Sequence, residues 1–269
     1  MASFMGARLE NGQDTVWFSP EKLQEIKDIE FKYDPNNVWL KRVKDIKQTA
    51  MKRWQENVQV GMTDLGTSLD IIFTFRPGEK LLLGLYDHHD QVKHLLWQVH
   101  EMWFRYFDDF NSIFKPGNPD YTAWTPIFSE ETYYMLQCDF CYMISPQMFD
   151  EFVKPELVAS CKHLANPFYH LDGPGQLPHL DSLLQIEELK GAQWVPGDGS
   201  PPISQWPEVY SKIRKSGKLI RMFAGQDPAG FKVLDTITDQ LGSAEGIVLI
   251  GDADISQEKE VEAFLAKYY

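Results

Sequence analysis

The sequence predicts an α/β protein made of successive strand–helix units with a parallel sheet. From about residue 140 onward, short apolar runs alternate with stretches of helical periodicity, the pattern of repeated βα units. Each apolar run also ends in a glycine- or proline-containing break, so the loops that follow the strands collect at one end of a parallel sheet. Four units are well marked there, and the whole chain supports about six, in a barrel or an open sheet. A complete eight-fold barrel takes roughly 250 residues with compact loops. This chain has long loops, so it is expected to fall about two units short.

The elements follow in order. Thr15–Ser19 and Val58–Thr63 read as strands, and the Val38–Gln55 and Asp87–Phe110 regions as helices. Tyr133–Gln137 is a further strand. Ser145-Pro146 opens a helix, with Pro at its first position and Met148, Phe149, Phe152 and Val153 at helical spacing. A strand at 167–171 precedes a helix over 176–187, and Ala192–Val195 is the next strand, broken by Pro196-Gly197. Trp206-Pro207 starts a helix to Lys215 that stops at Ser216-Gly217. Leu219–Ala224 is a strand, Phe231–Leu241 a helix, Gly246–Ile250 a strand and Gln257–Tyr268 the last helix. The chain reads as one domain, irregular over residues 1–55 and regular over 56–269.

Composition narrows the function. A formal net charge of −13 argues against nucleic acid and anionic membranes as partners, since both need clustered Lys and Arg. No signal-peptide pattern and no apolar run near 18 residues is visible, so a soluble cytoplasmic protein is expected. Three cysteines do not make a disulfide framework. The lone C-x-x-C of Cys138 and Cys141 reads as incidental, because no second pair accompanies it.

The most informative stretch is Pro167–Gly175. His170 and Asp172 lie two apart in an apolar strand and so point to one side, just before a Gly-Pro-Gly break. In parallel α/β proteins ligands bind where the strands give out. The pair is therefore a candidate for metal ligation or for a carboxylate-oriented base, against a purely structural His–Asp bond. Gln226 and Asp227 follow another strand, Asp64 follows the Val58–Thr63 run, and Trp194 lines either a pocket or the core. Asp252 and Asp254 are carboxylates that would complete an oxygen-rich metal site, or else caps. His179 reads as a surface or packing residue, and the His88-His89-Asp90 and His94 cluster as a solvated helix face.

Gln137-Cys138-Asp139-Phe140 followed by Met143–Phe149 resembles the uroporphyrinogen decarboxylase superfamily, in which a strand ends in an Asp and the next helix opens Ser-Pro-x-x-Phe. His170–Gly173, Gln193–Gly197 and Gly246–Ile250 fit its later strands. The resemblance spans about residues 55–269, is specific over 133–197, and implies a TIM-type barrel that begins about two units late. It marks Asp139 as a strand-end catalytic candidate beside His170. It also implies one of two chemistries, decarboxylation of uroporphyrinogen or methyl transfer to or from corrinoid proteins or thiols. The methyltransferases use zinc held by a His-x-Cys pair and a late Cys. Here the His is His170, the Cys position is Asp172, and the last loop offers Asp252 and Asp254, a harder donor set. The Arg-rich segment and the Gly-His-Gly of the decarboxylases have no counterpart in this sequence.

The expected function is thus a metal-dependent, methyltransferase-like enzyme acting on a small molecule or a corrinoid-linked methyl group. Its divalent metal, zinc in the relatives, would sit on His170, Asp172 and Asp252, with Asp64, Trp194 and Gln226 around the substrate. The alternatives are a uroporphyrinogen decarboxylase and a truncated, non-catalytic barrel that binds a ligand. An open barrel exposes two edge strands for a partner or a second copy to cover.

Overall fold

The structure is a computed structural model that describes residues 1–54, 57–115, 117–118 and 120–268. The chain is a mixed α/β protein whose contacts divide it into two compact units, Met1–Asn166 and Pro167–Tyr269. Among the described residues no helix is long and apolar enough to cross a membrane.

The first unit opens on a hairpin of β1 (Ala7–Asn11) and β2 (Val16–Pro20), antiparallel with Ala7 opposite Pro20 and Asn11 opposite Val16. The expected Thr15–Ser19 strand is β2. Its partner carries no apolar alternation, since only Ala7 of β1 is buried, and so it is silent in the sequence. Helix α1 (Val38–Trp54) is capped by Asn37, whose Oδ1 accepts from the amides of Trp39 and Leu40. The expected end at Gln55 lies outside the described residues.

The expected Asp87–Phe110 helix is present as α4, and a shorter helix that the sequence reading did not mark precedes it. Helix α3 (Glu79–Asp87) ends at His88, whose φ of −134° is not helical, and α4 (His89–Phe114) runs on for 26 residues. Helix α4 organises the unit. Val92, Leu95, Val99, Trp103, Tyr106, Phe107, Phe110 and Phe114 form a buried stripe at helical spacing. Each such side chain contributes roughly 1.5–3 kcal/mol of transfer free energy. Helices α1 and α2 (Ser68–Phe75) pack against it.

Val58–Thr63 is not a strand, contrary to expectation. Its segment is held by isolated bonds: Met62 N–H to the Thr122 carbonyl (2.9 Å), Val60 N–H to Asn118 Oδ1 (3.3 Å) and Asn118 Nδ2 to the Val60 carbonyl (2.9 Å). The sequence pattern resembles a strand, but among the described residues no neighbouring strand supplies a ladder. Strand β3 (Tyr133–Leu136) follows and is buried throughout. The expected Ser145-Pro146 helix start is present as α5 (Pro146–Met148), with Ser145 Oγ accepting from Met148 N–H. The coil then widens into a π-helical segment, Phe149–Val153, before α6 (Lys154–His163). Pro155, at the second position of α6, has no N–H to return to the preceding turn, which accounts for the widening.

The second unit carries the expected units in order: β4 (Asn166–Asp172), α7 (Leu180–Leu184), β5 (Gly191–Val195), α8 (Pro207–Lys215), β6 (Leu219–Phe223), α9 (Val233–Leu241), β7 (Ile247–Ile250) and α10 (Glu258–Leu265). The strands pair in that order, all parallel. Among the described residues there are thus five strand–helix units instead of about six, because Val58–Thr63 contributes none. Gly217, at φ 75°, ends α8 where the sequence predicts a stop. The helix expected over 176–187 is shorter: Pro174–His179 winds as a 3-10 turn first, with Pro178 inside it.

Candidate active site

Parallel strands bring their C-terminal ends to one edge of the sheet. Asp172 is the last residue of β4, Gln226 closes the turn after β6, and Asp252 lies just beyond β7, so three of the predicted residues share that edge of the second unit. Gly173, at φ 78°, turns the chain there while its N–H still donates to the Val195 carbonyl at 2.8 Å.

The register builds a row across the sheet. His170 pairs with Gln193, and Gln193 with Arg221. Residues side by side in a parallel sheet project to the same face, so imidazole, amide and guanidinium line up on one side. Gln193 and Arg221 are fully buried, and the His170 side chain is 15% exposed. His170 Nδ1 lies 2.9 Å from Gln193 Oε1. An amide oxygen only accepts, so Nδ1 carries the proton and the lone pair of the neutral ring is on Nε2. Nε2 lies 3.9 Å from Asp172 Oδ2, and that carboxylate is 42% exposed.

His170 and Asp172 thus project to one side, as their spacing predicts, but Nε2 and Oδ2 are 3.9 Å apart and Gln193 is the closer partner of the ring. Asp252 does not complete a metal site with them. Strand β7 is three strand spacings from β4, roughly 14 Å along a row of strands. Among the described residues no group of three or more His, Cys, Asp or Glu side chains gathers to hold a metal ion. Two donors, one of them a weakly held carboxylate, do not fit zinc, which takes three or four protein ligands. Asp254 instead caps the final helical segment, its carboxylate accepting from Ser256 N–H at 2.9 Å; the Ser256 side chain first, and then this backbone bond, lower its pKa.

Trp194 is on the other face. It pairs with Leu171, one residue from His170, and side chains alternate along a strand. Its ring meets Trp206, the N-cap of α8, at 5.0 Å, and α8 packs against β5 and β6. Trp194 is thus core on the helix-covered side and does not share a face with His170. Gln226 is half-buried, and its Oε1 has no donor among the described residues. Asp227 ties two loops together, accepting from Ser204 N–H at 3.1 Å and Ala229 N–H at 3.0 Å. No family model matches the chain, and no curated protein matches it.

The remaining candidates belong to the first unit. Asp139 is exposed in the turn that follows β3; its own N–H donates to Asp70 Oδ2 at 3.1 Å. Asp64 is exposed and accepts from Gly66 N–H at 2.8 Å, the Tyr134 hydroxyl at 3.3 Å and Gln137 Nε2. Its role is to fasten an irregular segment to β3. Cys138 and Cys141 are buried free thiols, and burial, then the neighbouring Cys141, holds the Cys138 thiol well above its ordinary pKa. His89 bridges Glu151 (2.6 Å) and Asp90 (3.2 Å), and these bonds raise its pKa. His179 is a buried packing residue.

Sequence reasoning missed Arg221, Gln193 and Glu156. The first two have a readable signal: a lone Arg centred in the apolar run Leu219–Phe223, and a Gln at the same position of the preceding strand. Glu156 sits within α6 with no sequence mark of burial. Burial raises its pKa to about 8, and Asp70 adds to the rise.

Proposed function

We propose that the chain is a small-molecule enzyme of the methyltransferase-like branch of the uroporphyrinogen decarboxylase superfamily, on a TIM-type barrel plan, with His170 as its proton-carrying group. The single observation that supports this reading is the 2.9 Å bond from His170 Nδ1 to Gln193 Oε1 beside the C-terminal edge of a parallel sheet. It locks the ring and its tautomer, as a general base requires. In the proposed step, Nε2 takes the proton of an attacking thiol while the sulfur accepts a methyl group from a small-molecule or corrinoid-linked donor. Asp172, 3.9 Å from Nε2, stabilises the imidazolium that forms. The proton then passes to the demethylated donor or to water. No step is routed through a metal, because the donor set falls short of one.

The test follows demethylation of methylcobalamin in the presence of a small thiol. We expect transfer by the wild type and a loss of about 10²–10⁴-fold in His170→Ala, with its far-UV circular dichroism unchanged. Equal rates in the two proteins, or no transfer by the wild type, would remove the reading. A second reading, decarboxylation of uroporphyrinogen, gains from the presence of Arg221, a cation on the face of His170. Coproporphyrinogen formation without methyl transfer would favour it.

A further inference from the structure

The His170–Gln193–Arg221 row contains more than a proton carrier needs. His170 takes up only the Oε1 end of Gln193; the other end of the amide, Nε2, is buried and has no acceptor among the described residues. A buried N–H without an acceptor loses its hydration for nothing in return, so such groups are rare unless something arrives to accept the bond. Arg221 neighbours Gln193 in register, is fully buried, and lies with its guanidinium carbon 3.5 Å from the centroid of the Phe223 ring. Phe223 is two residues further along β6 on the same face, so the guanidinium rises toward the strand ends where Asp172 and Gln226 lie. A guanidinium stacked on a ring by its face presents its N–H groups in the plane, in the fork geometry that matches a carboxylate.

We propose that Arg221 and Gln193 form an oxyanion subsite for one carboxylate, and that the substrate handled by His170 is a small organic acid. A planar fork of N–H donors beside an amide N–H suits the two coplanar oxygens of a carboxylate. In this arrangement Gln193 acts at both ends. Its carbonyl fixes the His170 tautomer and its Nε2 donates to the acid, so the register of three adjacent strands sets the distance between the recognised group and the reacting one. The substrate assignment rests on the reading of His170 above, but the binding site is tested without turnover.

Acetate, succinate and tricarballylate are titrated into the wild-type protein by isothermal calorimetry at pH 7, with acetamide and succinamide as neutral counterparts. We expect at least one acid to bind saturably and neither amide to do so. Affinity for that acid should fall at least tenfold in Gln193→Met and be lost in Arg221→Met. If Arg221→Met does not fold, Gln193→Met decides. Failure of all three acids to bind, amides binding as well as acids, or unchanged affinity in Gln193→Met would each overturn the subsite. Saturable acid binding without any methyl transfer would instead remove the enzyme reading and leave the subsite standing.

Discussion

At the scale of single residues, the informative positions are those where a neighbour on the next strand dictates the side chain. Gly191 is opposite Phe168, and a Cβ there would run into the Phe168 ring and meet the Leu219 carbonyl oxygen at 2.8 Å. The second contact is backbone and cannot swing away. Gly191→Ala should therefore cost about 1–3 kcal/mol, read as a lower urea midpoint with an unchanged m-value. A variant as stable as the wild type would show that β4 and β5 can part by more than this packing implies. The same cross-strand logic explains what the sequence did and did not reveal of the site. His170 and Asp172 share a face because they are two apart in one strand, which spacing alone supplies. That Gln193 is the nearer partner of His170, and that Arg221 continues the row, depends on the register between strands, which no local pattern specifies. Trp194 shows the reverse error: its position in a strand was legible, but the side it faces follows from pairing with Leu171 and the covering helix α8.

At the scale of elements, local chemistry decided most of the boundaries from Ser145 onward. Ser145 is the N-cap of α5, its hydroxyl oxygen accepting from Met148 N–H at 3.3 Å. Removing that acceptor in Ser145→Ala should cost about 1 kcal/mol, and Ser145→Asp should restore it, both read by thermal unfolding. Equal stability of all three proteins would mean that the cap is not used. Pro207 at the first position of α8 and Gly217 beyond its end are signals of the same kind, and both stand where the sequence predicts. The failures are equally physical. Val58–Thr63 has the composition of a strand, but a strand needs a neighbour, and the segment is tied by single bonds to residues 118 and 122. The break between α3 and α4 at His88 adjoins the predicted helix start at Asp87, whereas α4 runs on to Phe114, past the predicted end at Phe110.

At the scale of the molecule, buried ionisable groups make stability depend on pH. In the first unit His100 Nδ1 lies 3.8 Å from Glu156 Oε2. Burial lowers the His100 pKa from 6.5 to about 4 and raises that of Glu156 from 4.5 to about 8. At neutral pH the two are a neutral imidazole facing a protonated carboxyl, not an ion pair. The signs follow from linkage. Between 4.5 and about 8 the folded state keeps a Glu156 proton that the unfolded chain releases, so stability falls as pH rises. Between about 4 and 6.5 the unfolded chain binds a His100 proton that the folded state refuses, so stability rises with pH. The two largely cancel below 6.5 and leave a net decline from there to about 8, with a limiting slope of about 1.4 kcal/mol per pH unit. The buried Met1 amine, lowered from 8.0 to about 6, opposes that decline in the absolute curve. Urea unfolding from pH 6.5 to 8 should therefore show it as a falling stability difference between the wild type and Glu156→Gln. A difference that stays level over this range would argue against a buried protonated Glu156.

The sequence by itself determined the α/β class, the order of four βα units after residue 166, and the strand that carries His170 and Asp172. Each of these follows from interactions between residues close along the chain: periodicity, caps and breaks. Only the tertiary structure decided that Val58–Thr63 stays out of any sheet, that Asp252 is too many strands away to join His170, and that Gln193 and Arg221 stand beside it. Those outcomes depend on which strand lies next to which and in what register, a choice made by packing between segments far apart in sequence.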